Sequence, residues 1–132
     1  MNKSVWIIED DSDDRYLTKE TLSDLNIDVP LHFLSSSDEL FEALSTSELP
    51  SLILVDYNTT PDNGLEVLKK LKTHQRYNKL PVVILSDSNL TRYKDECYQY
   101  GACSFIKKPD TIETTQQKIG TFFKYWLEVV EL

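Results

Sequence analysis

Carboxylate, hydroxyl and ammonium side chains recur in this sequence where apolar runs stop. Glu9 and Asp10 follow VWII, Asp56 follows LILV, Ser86 follows VVIL, and Lys108 follows CSFIK, just before Pro109. Carboxylates gathered together suit a hard divalent cation. Mg2+ keeps several waters and takes one or two carboxylates together with phosphate oxygens. A lysine and a hydroxyl beside it can take the remaining phosphoryl oxygens. Asp56, alone at the end of its run, is then the candidate nucleophile, because carboxylates form acyl phosphates.

The acidic run needs its own account. Glu9, Asp10, Asp11, Asp13 and Asp14 crowd into six positions, and like charges this close raise one another's pKa unless something positive sits among them. Glu9 and Asp10 end the apolar run and belong with the metal reading. Ser12 or Asp11 fits a helix N-cap, worth ~1 kcal/mol. Asp13 and Asp14 fall in the first helical turn, where the dipole favours negative charge by ~0.3–1 kcal/mol. Plain solvation accounts equally well for Asp11, Asp13 and Asp14.

These residues converge only if the elements carrying them do. Short aliphatic runs at 4–8, 31–34, 52–55, 82–85 and 103–106 read as strands, and the non-alternating VWII, LILV and VVIL suit strands covered on both faces. Helical patterns lie between them: 12–25 with Tyr16, Leu17, Leu22 and Leu25; 37–44 with Leu40, Phe41 and Leu44; and 64–71 with Leu65, Leu68 and Leu71. Tyr93, Cys97 and Tyr100 mark a fourth helix, and a fifth runs from about Thr111 to the end. Turn signals at TTPDNG, Pro81 and Gly101 separate them. Five strand–helix alternations joined by right-handed crossovers make an α/β fold, a doubly wound five-stranded parallel sheet with helices on both faces. Such sheets bind ligands beyond the carboxyl ends of their strands, where the candidate residues lie.

Composition narrows the classes further. The 132 residues suit one compact domain, and a net charge of −8 argues against nucleic-acid and anionic-membrane partners. No apolar run approaches the ~18 residues of a membrane span, and no signal segment opens the chain. Cys97 and Cys103 lack metal-type spacing and are expected as free thiols in a reducing cytoplasm. Cys97 reads as a small core residue. His32 and His74 have no partner ligands and read as surface or satisfied histidines.

In order and spacing, IIEDD, LILVDYNTTPDNG, VVILSDS and YGACSFIKKPD resemble the receiver domain of two-component response regulators across essentially the whole chain. The resemblance implies a flavodoxin-like (βα)5 fold with strand order 2-1-3-4-5, and a single receiver domain over 1–132 with no output domain. It implies a signalling domain rather than an enzyme, with Asp56 as phosphoacceptor from a histidine kinase or a small phosphodonor. Mg2+ is the implied cofactor, bound directly by Asp10 and Asp56, through water by Glu9 and by the backbone carbonyl of Asn58. Ser86 and Lys108 would hold the phosphoryl oxygens, and Ser86 and Phe105 would form the switch. Lys107 is left as a solvent-facing charge, and the Lys108–Pro109 bond is expected to be cis. Output passes to a downstream protein target or a histidine phosphotransfer domain. YWLEVVEL and DDSDDRYLTKETL further resemble single-domain regulators associated with phytochrome-type kinases.

The chain departs from the family in one loop. Receivers place proline four residues after the acceptor, whereas Thr60 stands there and Pro61 follows. Gly64 keeps its usual distance, so the loop should close normally with its middle rearranged. Three rival readings fit less well. A haloacid-dehalogenase-type phosphatase wants a second acid two residues after the nucleophile, where this chain has Asn58. A flavodoxin-like cofactor binder needs a phosphate-cradling loop after the first strand, where carboxylates would repel the phosphate. A pseudo-receiver that is never phosphorylated would not need the complete acid, hydroxyl and lysine set.

The last helix carries more apolar surface than one domain covers. From Ile112 to Leu132 it would hold about 20 residues over ~30 Å. Ile112, Ile119, Phe122, Phe123, Trp126 and Val130 form a stripe for the sheet, leaving Tyr125, Leu127, Val129 and Leu132. A homodimer through this helix would bury them; folding back on the same domain is the other outcome.

Overall fold

A computed structural model describes residues 3–87, 91–108 and 111–132. Five strands, β1 (Val5–Ile8), β2 (Leu31–Leu34), β3 (Leu52–Asp56), β4 (Val82–Ser86) and β5 (Ser104–Lys107), alternate with five helices. The helices are α1 (Ser12–Asp24), α2 (Ser37–Thr46), α3 (Gly64–Thr73), α4 (Thr91–Gln99) and α5 (Ile112–Lys124). The strands form one parallel sheet in the order β2-β1-β3-β4-β5, as the alternation and the family resemblance require.

The non-alternating runs are explained by two apolar layers. Along β1, Trp6 and Ile8 join one layer while Val5 and Ile7 join the other, and in β3 Ile53 and Val55 divide likewise from Leu52 and Leu54. The first layer is closed by Leu40 and Leu44 of α2, Leu68 and Leu71 of α3, and Cys97 of α4. Leu22 of α1 and Phe123 of α5 close the second, together with Trp126. His32 and His74 are exposed, and each lies against an aromatic ring, Trp6 and Tyr77 respectively.

Caps explain where the helices begin. Asn63 and Glu66 form a reciprocal capping box on α3, and Ser36 accepts from the Glu39 N–H at the start of α2. On α1 the cap is Asp11, which accepts from the N–H groups of Asp13 and Asp14, and Ser12 is already helical. Tyr16 and Leu25 do not join that helix's buried face; they are 66% and 41% exposed.

The C-terminus differs from expectation. Helix α5 gives way after Lys124 to a single π-helical turn, Tyr125–Val129, and Val130 is extended. The Lys3 ammonium donates to the Leu127 carbonyl at 2.6 Å, satisfying a backbone oxygen of that turn. Ile112 lies outside the apolar layer, 70% exposed, because it opens α5 before Ile119, the helix's first residue in that layer. Leu127 and Leu132 pack back on their own domain. Tyr125 and Val129 remain 52% and 68% exposed. Part of the surplus apolar surface is therefore covered internally and part is left.

Candidate functional site

The end of β1 is held from both sides. The Glu9 N–H donates to the Leu34 carbonyl at 2.9 Å, and the Glu9 carbonyl accepts from Arg15 Nε at 2.5 Å. The Glu9 side chain is thereby turned inward and buried, while Asp10 stays exposed. At the end of β3 the Tyr57 N–H bonds the Leu85 carbonyl at 2.7 Å, carrying the sheet ladder past Asp56. The turn after it folds around the acceptor: Asn58 N–H donates to Asp56 Oδ1 at 2.9 Å and Thr59 N–H to the Asp56 carbonyl at 3.1 Å. Gly64 closes this loop, its N–H on the Tyr57 carbonyl at 2.8 Å, and a Cβ there would stand 2.8 Å from Tyr57 Cα. The loop thus closes despite the displaced proline, with a cis Thr60–Pro61 bond. Pro109, and with it the expected cis bond to Lys108, lies outside the described residues.

Ser86 ends β4, 1% exposed, and its carbonyl accepts from the Lys108 N–H at 2.8 Å. That bond aims the Lys108 side chain across the strand ends. Its Nζ lies 2.6 Å from Asp56 Oδ2, 3.1 Å from Glu9 Oε1 and 3.9 Å from Asp14 Oδ2. The positive charge that the crowded acids require is therefore Lys108. Burial drives the Glu9 carboxyl up to about 7; Lys108 pulls against that rise while Asp56 and Asp14 add to it. Burial also disfavours the Lys108 ammonium, but its hydrogen bonds and charge interactions with Asp56 and Glu9 outweigh this and raise its pKa.

Glu9, Asp10, Asp14, Asp56, Asn58 and Lys108 line one hollow of about 190 Å³ at the strand ends. Among the described residues, no three carboxylates gather closely enough to hold an ion by themselves. Mg2+ does not require that, since one or two carboxylates, a carbonyl, phosphate oxygens and waters complete its shell. The carboxylates of Glu9, Asp10 and Asp56 with the Asn58 backbone, Asp10 being exposed, offer oxygens that fit such an ion. A larger groove of about 830 Å³ under α5 is walled by Leu54, Leu85, Ile106, Phe122 and Phe123. Its charged residues, Glu9, Asp14 and Lys108 among them, lie where it meets the strand-end hollow and are shared with it.

Phe105 of β5 is half-buried against the layer under α2–α4, and its N–H donates to the Tyr98 hydroxyl of α4 at 3.1 Å. Tyr57, next to Asp56, stacks on Tyr93 of the same helix at 4.8 Å. The residue after Asp56 and the strand bearing Phe105 thus both touch α4. Sequence reasoning did not find two participants. Arg15 had a signal, a lone cation inside an acidic run. Asp14, assigned to the helix dipole, also stands near Lys108.

The family model described as response regulator receiver domain matches residues 5–120. The chain is 31% identical over 105 residues to the two-component response regulator ORR5 of Oryza sativa subsp. japonica, covering 80% of this chain and 77% of that one. It is 31% identical over 123 residues to the DNA-binding transcriptional regulator NtrC of Klebsiella pneumoniae, 93% of this chain but only 25% of that protein. Among solved structures, the Mn(2+)-bound form of response regulator Rcp1 superimposes with a TM-score of 0.91 at 26% identity, covering 98% of each chain. The phosphorylated cyanobacterial phytochrome response regulator RcpA has a TM-score of 0.92 at 24% identity, covering 100% of this chain and 99% of that one.

Proposed function

The chain belongs to the response regulator receiver family, and on that premise we propose that Asp56 accepts a phosphoryl group in a Mg2+-dependent reaction. The donor is the phosphohistidine of a sensor histidine kinase or a small acyl phosphate. What supports this most directly is the Lys108 ammonium on Asp56 Oδ2 at 2.6 Å, inside a hollow lined by Glu9 and Asp10. The lysine donates to one acceptor oxygen and fixes the carboxylate that attacks phosphorus.

In the transfer, an Asp56 oxygen forms the new bond to phosphorus. The bond from phosphorus to the donor nitrogen or oxygen breaks, its electron pair leaving with the donor. Mg2+, when bound, draws charge from the phosphoryl oxygens. Asp10 and Asp56 would hold it directly, with Glu9 acting through water and Asn58 offering its backbone carbonyl. Lys108 passes its hydrogen bond from Asp56 to a phosphoryl oxygen, and the Ser86 hydroxyl takes another. Rearrangement of Ser86 and Phe105 then carries the change to α4 and β5.

Output is by protein contact, to a target protein or a histidine phosphotransfer domain, in the cytoplasm. RcpA, similar in fold, is a phytochrome response regulator, and a phytochrome-type kinase is the partner we propose. We also propose a homodimer through the C-terminal helix, supported by Tyr125 and Val129, which stay exposed beside the buried Trp126. The acceptor is tested by incubation with acetyl phosphate and Mg2+ followed by intact mass. The wild type should gain one phosphoryl group and Asp56→Asn none. Undiminished labelling of the variant would refute the assignment.

A further inference from the structure

We propose that Arg15 is a positioning residue for the cation site, fixing the Glu9–Asp10 peptide rather than neutralising the acids around it. The inference rests on the phosphoacceptor reading above. Arg15 sits on the first turn of α1 among Glu9, Asp10, Asp11, Asp13 and Asp14. Its guanidinium nevertheless forms no carboxylate ion pair among the described residues.

Its donors go to neutral oxygens instead. Nε bonds the Glu9 carbonyl at 2.5 Å, and a terminal nitrogen bonds Ser35 Oγ at 2.8 Å. The guanidinium carbon lies 5.5 Å from the centre of the Phe33 ring, which restrains it from one side. Ser35 is anchored in turn, its N–H donating to the Glu39 carboxylate of α2. Arg15 thus ties β1 to α1 and to the loop after β2.

That tie bears on the metal-binding acids. The Glu9 N–H is already held by Leu34 at 2.9 Å, so Arg15 on its carbonyl fixes the other backbone group of the same residue. The Glu9 carbonyl belongs to the peptide plane that leads into Asp10. Holding the plane sets the direction in which the exposed Asp10 carboxylate meets a cation. Outer partners that orient ligands in this way are worth about 10–100-fold in metal affinity.

Charge and positioning predict opposite signs, which makes the inference testable. Removing a cation from beside an acidic site should, by charge alone, tighten Mg2+ binding. Releasing the peptide should weaken it. Full-length wild type, Arg15→Met, Arg15→Lys and Leu22→Val are titrated with MgCl2 by calorimetry, well below their melting temperatures. Leu22 is buried on α1 away from these bonds and serves as a destabilised control. The half-saturating Mg2+ concentration should rise about tenfold in Arg15→Met, recover in part in Arg15→Lys, and stay unmoved in Leu22→Val. Acetyl phosphate labelling of the wild type, run alongside, tests the phosphoacceptor reading itself. Arg15→Met binding Mg2+ as tightly as wild type or more tightly overturns the inference, as does an equal loss in Leu22→Val. Those outcomes leave the phosphoacceptor reading standing if the wild type binds Mg2+ and takes up phosphate. A wild type that does neither overturns both.

Discussion

Replacing Lys108 with methionine would remove the cation that, among the described residues, bridges Glu9 and Asp56, while keeping a side chain of similar length. The ammonium makes contacts of 3.1 and 2.6 Å to these carboxylates, with side-chain exposures of 22% for Lys108, 8% for Glu9 and 14% for Asp56. Breaking a buried pair by deleting one partner costs about 3–5 kcal/mol, and residual solvent access here reduces that to about 2–3 kcal/mol. With a urea dependence of about 1–3 kcal/mol per molar, the unfolding midpoint should fall by roughly 0.7–3 M. The measurement is urea unfolding in EDTA at pH 8, above the value near 7 that Glu9 has beside Lys108. Toward pH 6 the deficit should shrink, because Glu9 can take a proton in place of the lost ammonium. Several millimolar Mg2+ should stabilise the variant more than the wild type, since the ion then supplies the missing charge. A variant whose midpoint in EDTA lies within about 0.3 M of wild type would refute Lys108 as the compensating charge. So would Mg2+ stabilising it less than wild type.

Mg2+ should raise the wild-type melting temperature by binding only the folded state. Asp10→Asn should blunt that rise, and an unmoved wild-type midpoint at several millimolar Mg2+ would count against the site. The raised Glu9 pKa predicts a pH trend in the metal-free protein. The folded carboxyl titrates near 7 against an ordinary 4.5, so the folded state binds more protons over that window and stability falls as pH rises through it. The loss reaches about 3 kcal/mol; Glu9→Gln should flatten it, and equal wild-type urea midpoints at pH 5 and pH 8 would contradict it. For the dimer, sedimentation should show Tyr125→Glu and Val129→Glu as monomers that keep their fold, because both side chains already face solvent. Wild type that stays monomeric at high micromolar concentration, phosphorylated or not, rules the dimer out.

Local pattern carried the fold. Apolar runs without alternation mark strands covered on both faces, and Trp6/Ile8 against Val5/Ile7 divide between the two layers as that pattern requires. Because such runs end where the sheet ends, Glu9, Asp56, Ser86 and Lys108 could be assigned to one rim from sequence alone. Which of them touch was decided by the tertiary structure. Lys108 meets residues 99 and 52 positions away in the chain, and its reach depends on the β4–β5 register and on the Ser86 carbonyl that aims it. Competition decided the finer points. Asp11 and Ser12 could both cap α1, and the cap fell to Asp11, whose carboxylate accepts two N–H groups. Arg15 sits beside acidic neighbours, yet its donors go to the Glu9 carbonyl and Ser35 Oγ, which only the fold brings within reach. The last helix follows the same rule. Periodicity extends it to the final residue, but Lys3, which no local pattern connects to Leu127, takes up that residue's carbonyl where α5 has become a π turn. Periodicity along the chain determines what each segment becomes; the partners of its polar groups depend on distant segments that only the assembled fold brings within range.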